Sequence, residues 1–274
     1  MRFLFIGDIV AKAGRQAVFE WLPELRRKHR PDVVLANAEN AAGGSGLTPA
    51  LAEELFAAGV AGLTLGNHAW DKREIMPYID GEKRLIRPLN YPGRPPGLGW
   101  TVLEGPHGVK FGLVNVLGRV FAGGNYEDPF RAAHAALEEI RAVTPLVIVD
   151  VHGEATSEKI AMGWYLDGRA TLVVGTHTHV QTADELILPG GTAFLTDVGM
   201  TGPWDSVIGV RKELVLEKFL TQLPVRFEAA KGPRQLCAVV VDADGGTGLA
   251  THIERVFLRE DAAAGGPRDE ESAG

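Results

Sequence analysis

A chain of 274 residues, 45% hydrophobic and 23% charged, has enough apolar material for a sizeable core and lies far from disordered or fibrous compositions. Its formal net charge of -7 argues against non-specific binding to a polyanion, because such affinity comes from Lys and Arg contacts that release counterions. The lone Cys237 excludes an intramolecular disulfide and suits a reducing cytoplasm; no apolar run reaches the roughly 18 residues of a membrane span, and Arg2-Phe3-Leu4-Phe5-Ile6 breaks at Gly7-Asp8, too early for a signal peptide.

Short β-branched runs alternate with amphipathic segments, the pattern of an α/β layered fold. Phe3–Gly7 reads as a strand, Arg15–His29 as a helix, Val33–Ala38 as a strand, Pro49–Ala58 as a helix, Ala61–Leu65 as a strand and Lys72–Ile79 as a short helix. Thr101–Gly105 and Lys110–Val116 flank Pro106-His107-Gly108 and predict a hairpin. Phe130–Val143 and Ser157–Leu166 read as helices, Leu146–Val151 and Thr171–Gly175 as buried strands. Val180–Leu188 with Thr192–Thr196, and Leu236–Val241 with Thr251–Leu258, predict two further hairpins. The expected architecture is a four-layer sandwich, two packed mixed β-sheets flanked by helices, forming one domain over residues 1–258. Residues 259–274 have almost no apolar side chains to bury and read as a disordered acidic tail.

Residues able to bind metal follow directly on successive predicted strands: Asp8, then Glu39-Asn40, then Asn67-His68, then His152, then His177-Thr178-His179. Strand carboxyl ends gather at one edge of such sheets, so these separated segments deliver their side chains to one crevice. Taken singly, each is more simply a turn, cap or structural residue, and His29, His107, His134 and His252 are left as such. Imidazole, carboxylate and carboxamide without thiolate suit iron or manganese, with zinc a further candidate, better than magnesium or a structural zinc-thiolate site. Seven candidate ligands oversupply one ion and suit two ions, divalent or trivalent, sharing a bridging carboxylate. In extended backbone, His177 and His179 point the same way.

Gly-Asp at 7–8, Gly-Asn-His at 66–68, His-Gly-Glu at 152–154 and Gly-Thr-His-Thr-His at 175–179 resemble the ordered motifs of the calcineurin-like metallophosphoesterase superfamily. Within it, Phe-Ile-Gly-Asp-Ile-Val at 5–10, Asn-Ala-Glu-Asn-Ala-Ala-Gly-Gly at 37–44, Thr-Leu-Gly-Asn-His-Ala-Trp-Asp at 64–71, Arg-Pro-Leu-Asn-Tyr-Pro at 87–92 and Thr-Asp-Val-Gly-Met-Thr-Gly-Pro at 196–203 resemble the YmdB-like branch of bacterial 2',3'-cyclic-nucleotide 2'-phosphodiesterases. The resemblance implies one metal held by Asp8, Glu39, Asn40 and His179 and another by Glu39, Asn67, His152 and His177. It makes Glu39 the bridge and His68 the general acid. Asp8-Ile9-Val10 stands where the wider superfamily has Asp-x-His, and Glu39 with Asn40 where it has a bridging Asp, which argues against transferring substrate ranges from better-known members.

The reaction so implied is attack of a metal-bridging hydroxide on a 2',3'-cyclic nucleotide, His68 protonating the departing 2'-oxygen to leave the 3'-nucleotide, with other phosphodiesters and RNA ends as further substrates. Two alternatives remain: a nucleotide phosphomonoesterase, and a metal-dependent regulatory protein that senses nucleotide or RNA with incidental turnover. The Gly43-Gly44-Ser45-Gly46 loop reads first as a tight turn and second as a phosphate cradle, while Trp204 reads equally as a base-stacking and a core or interface residue. No membrane partner is expected, and a second copy of the chain is a further candidate partner, in a homo-oligomer.

Overall fold

In the computed structural model, residues 1–261 are described. Strand β1 (Arg2–Ile6) sets the pattern for the core. Leu4 and Ile6 pack toward helix α1 (Ala11–His29), whereas Phe3 and Phe5 point the other way, toward a second sheet, so the strand is buried on both faces. The next strand, β2 (Val33–Asn37), divides its side chains in the same way, Val34 and Ala36 against Val33 and Leu35. Two-sided burial is what a near-continuous apolar run in a parallel strand encodes. After α2 (Pro49–Ala57) come β3 (Gly62–Thr64), α3 (Ile75–Ile79) and the two-residue β4 (Leu85–Ile86).

The second sheet opens with the hairpin β5 (Trp100–Glu104) and β6 (Lys110–Leu117), followed by α4 (Pro129–Arg141), β7 (Val147–His152), α5 (Thr156–Tyr165) and β8 (Leu172–Thr176). Strands β9 (Leu186–Ile187) and β10 (Ala193–Leu195) complete it. The chain then returns to the first sheet through β11 (Gly202–Pro203), α6 (Lys212–Thr221) and the long hairpin β12 (Arg234–Ala243) and β13 (Ala250–Arg259). Strand order is β11-β12-β1-β2-β3-β4, with β13 on β12, in one sheet and β5-β6-β7-β8-β10-β9 in the other. Both sheets are mixed: β1 pairs parallel to β2 and antiparallel to β12, and β6-β7-β8-β10 run parallel beside antiparallel edges. With α1 to α3 on the outer face of the first sheet and α4 and α5 on that of the second, the layers are helix, sheet, sheet, helix, as expected.

Several boundaries differ. Helix α1 begins at Ala11 rather than Arg15, because Gly14, a poor helix former, is there for contact: a Cβ at that position would lie 2.3 Å from the Thr201 carbonyl oxygen. The strand expected over Val180–Leu188 shrinks to two residues; ahead of it the Gln181 amide donates to the carbonyls of Val198, Ala238 and Val256 and ties the chain across the sheet instead. Helix α6 was not expected, and buries only Val215 among its residues. At the far end β13 includes Arg259, and Glu260 accepts from Arg234, so the strand runs past the expected tail boundary; residues 262–274 lie outside the described ones. Among the described residues no helix is long and apolar enough to cross a membrane.

Candidate active site

The carboxyl ends of the parallel strands in both sheets meet at one edge. Asp8 follows β1, Glu39-Asn40 follow β2, Asn67-His68 follow β3, His152 ends β7, and His177 and His179 follow β8. His152 is the hub of one half: its Nε2 lies 3.0 Å from Glu39 Oε1, 3.0 Å from Asn67 Oδ1 and 3.0 Å from His177 Nδ1. A single ring nitrogen carries at most one proton, so it cannot satisfy all three. Ligand atoms of Glu39, His152 and His177 lie within 4.8 Å of one another, an arrangement that could hold a metal ion.

In the other half, His179 Nε2 faces Asp8 Oδ1 at 3.8 Å and the Asn40 amide nitrogen at 3.3 Å, and a half-turn of that amide presents Oδ1 to the same point. Asp8 Oδ1 is buried without a hydrogen-bond partner. An orphaned buried carboxylate oxygen is costly unless a cation answers it, and the nitrogen and oxygen donors around it suit a borderline transition metal. The residues present therefore fit a metal pair with Glu39 between the halves: Asn40 Nδ2 lies 3.1 Å from the same Oε1 that approaches His152.

The electrostatics agree. Burial pushes the Asp8 carboxyl up to about 6, against the pull of His179 and His152. Burial also raises Glu39, but the His152 imidazole beside it, helped by His68, carries it down to about 2. Burial lowers His152, yet Glu39, Asp8 and Asp150 outweigh it and bring the ring to about 9, while burial and the neighbouring His152 hold His177 at about 4. Burial thus sets the shifts of Asp8 and His177, whereas the mutual attraction of Glu39 and His152 outweighs burial and sets theirs.

The supporting shell is where sequence reasoning fell short. Thr176 Oγ1 donates to Asp150 Oδ1 and so accepts from His152 Nδ1 at 2.8 Å, which turns Nε2 toward the cluster. Asp150 also accepts from Asn37 and Thr64, joining β2, β3, β7 and β8 beneath the site; burial pushes its carboxyl up. Its signal was an acid standing alone in the run Leu-Val-Ile-Val-Asp-Val. The extended His-Thr-His geometry is not what forms: β8 ends at Thr176, and His177 and His179 have φ of 98° and 65°. The left-handed backbone is held by Thr178, whose N–H and hydroxyl both donate to Asp197 Oδ2, itself bonded at 2.8 Å by the buried Lys159 ammonium. His179 Nδ1 donates to the Ile208 carbonyl at 2.9 Å, leaving Nε2 for the cluster.

His68 sits at the edge of the cluster, its backbone N–H donating to Glu39 Oε2 at 3.0 Å. Its Nδ1 meets Asp71 Oδ2 at 2.8 Å, and Ser45 Oγ donates to that same oxygen. The Asn67-His68 turn rests on Tyr91, which packs against Trp70 and Tyr126 and whose hydroxyl donates to the Gly66 carbonyl. His68, Glu39, Asn40, His177 and His179 line one cavity of about 480 Å³.

Gly43, Gly44 and Gly46 all have positive φ, and the Gly44 N–H is bonded to the Asn40 carbonyl at 3.1 Å, so the loop forms a tight turn, and Gly43, Gly44 and Ser45 line the same cavity. Trp204 lies away from the cavity, its indole N–H donating to the Glu260 carbonyl and its ring stacked under Arg259. His29, His134 and His252 pair with Glu254, Glu138 and Glu254, and His107 sits in the β5–β6 turn, none of them at the cluster.

This chain is 48% identical, over 95% of its length and 98% of the relative's, to a Bacillus subtilis protein named 2',3'-cyclic-nucleotide 2'-phosphodiesterase. A crystal structure of a hypothetical protein from Thermus thermophilus superposes with a TM-score of 0.89 at 46% identity, covering 95% of this chain and 100% of that one. The structure described as a novel phosphatase from Mycoplasma pneumoniae gives 0.90 at 36% identity, over 96% of this chain and 95% of the other. Residues 4–256 match the family of YmdB-like proteins, and the chain belongs to that family.

Proposed function

We propose that this protein hydrolyses 2',3'-cyclic nucleotides at the 2' bond to give 3'-nucleotides. The observation that carries the reading is the gathering of seven candidate nitrogen- and oxygen-donor side chains at one edge of the sheets, the partnerless buried Asp8 Oδ1 among them, beside a cavity lined by His68. Asp8, Glu39, Asn40 and His179 would hold one ion and Glu39, Asn67, His152 and His177 the other, with iron favoured and manganese next by donor chemistry. Such a pair, when bound, lowers the pKa of water and takes up charge on the phosphoryl oxygens.

The chain's own residues do the rest. Glu39, shared between the halves, fixes their separation, while Asp150 and Thr176 hold His152 in the tautomer that faces inward. Water adds to phosphorus and gives up one proton to solvent, the P–O2' bond breaks with its electron pair going to O2', and His68 gives that oxygen a proton, Asp71 orienting the ring through Nδ1. Residues 1–258 then act as one catalytic domain, working in the cytoplasm. Product analysis on 2',3'-cyclic AMP tests the reading: 3'-AMP without inorganic phosphate is expected, whereas 2'-AMP or free phosphate as the product contradicts it.

A further inference from the structure

The lining of the catalytic cavity includes two segments distant in sequence and laced together. Residues 207–210 turn back through reciprocal backbone bonds between Val207 and Val210, of 2.9 and 3.0 Å. The stretch at 227–230 is fastened to this tip, Arg211 N–H donating to the Glu228 carbonyl at 3.0 Å and Ala230 N–H to the Gly209 carbonyl at 2.8 Å. Ile208 at the tip has φ of 46°, a conformation a β-branched residue adopts only under constraint, and its carbonyl is the one that receives His179 Nδ1. The tip is thus tied to the candidate ligand His179.

This lacing presents Phe227 to the cavity. The residue is 49% exposed. Among the described residues it stacks on no other aromatic ring, and it is the one phenyl, phenol or indole group in the cavity lining. His68 lines the same cavity, so a nucleoside whose 2'-oxygen receives the His68 proton is seated there, and its base needs a surface. An apolar ring left half-exposed by a fixed strap supplies one, since every nucleobase has a π-face and stacking makes no demand on hydrogen-bond pattern.

We propose that Phe227, with Ile208 beside it, is the platform on which the substrate's nucleobase stacks, making Phe227 a specificity-determining residue for nucleoside-bearing over base-free diesters. The proposal rests on the cyclic-nucleotide reading above. Stacking of this kind predicts broad base tolerance, with purines preferred for their larger face.

The test compares wild type, Phe227→Ala and Phe227→Trp on 2',3'-cyclic AMP and on methyl riboside 2,3-cyclic phosphate, which has the same diester and no base. Phe227→Ala is expected to lower kcat/KM for the nucleotide by about fivefold to 150-fold, mainly through KM, to leave the base-free diester unchanged, and to be rescued by Phe227→Trp. Equal losses on both substrates, or none on the nucleotide, overturn the proposal. Calorimetric binding of 3'-AMP against ribose 3-phosphate separates it from the reading on which it rests. Weaker 3'-AMP binding in Phe227→Ala, with ribose 3-phosphate unaffected, upholds the platform even if neither cyclic diester is turned over, and equal 3'-AMP affinity overturns it.

Discussion

His68 and Asp71 are the residues through which the proposed catalysis is most directly separable from metal binding. The His68 ring meets Asp71 at 2.8 Å while only its backbone N–H touches the candidate ligand Glu39, so His68→Ala removes the proposed proton donor without removing a donor atom from the cluster. General-acid help is worth roughly 100- to 10,000-fold. We expect a loss of that size in kcat on 2',3'-cyclic AMP, with metal content kept and with a much smaller loss on a p-nitrophenyl diester, whose leaving group needs no proton. Asp71→Asn should fall between wild type and His68→Ala. Equal losses on both substrates in steady-state assays would show that His68 serves binding or structure. The candidate ligands were legible in the sequence because each comes directly after a strand, where local pattern and topology coincide. Asp71, although inside the Gly-Asn-His-Ala-Trp-Asp motif, gave no local sign of its partner.

At the scale of elements, the loop after β8 carries the cost of placing two histidines in left-handed backbone. Such conformations cost on the order of 1–3 kcal/mol each and persist when surroundings over-determine them. Here the determinant is the Thr178, Asp197 and Lys159 network, joining this loop to α5 and to the segment after β10. Thr178→Val removes the hydroxyl bond to Asp197 and should cost about 1–3 kcal/mol, read as a fall in Tm of several degrees. Because the loop positions His177 and His179, metal affinity should fall as well, by the roughly 10- to 100-fold typical of supporting contacts. Unchanged metal affinity in titration calorimetry would show that the histidines do not depend on this network. None of this was legible beforehand: Asp197 and Lys159 are 38 residues apart, and an extended His-Thr-His is the default for a strand end. The strands of the body were more readily foreseen than their order, since apolar runs and two-sided burial leave their mark on β1, β2 and β12, whereas α6, with Val215 alone buried, carries too little pattern to be seen.

For the whole molecule, the charge of -7 and the carboxylates of Glu154 and Glu228 in the cavity lining oppose a long polyanion while leaving a singly charged cyclic diester free to enter. A protein neutralising six to ten phosphates loses roughly 1,000- to 100,000-fold in affinity between 50 and 200 mM salt. The KM for 2',3'-cyclic AMP should change by less than about twofold over that range, and a steep salt dependence would point to an extended nucleic-acid footprint instead. The measurement that bears most directly on the account is the transition-metal content of the purified protein, beside that of Glu39→Gln, by mass spectrometry with thermal melts to verify folding. Sharing of Glu39 between the two halves predicts about two ions per chain in the wild type and loss of both, with turnover, in a folded Glu39→Gln variant. A metal-free active protein, or a Glu39→Gln variant that keeps both ions and full activity, would contradict it.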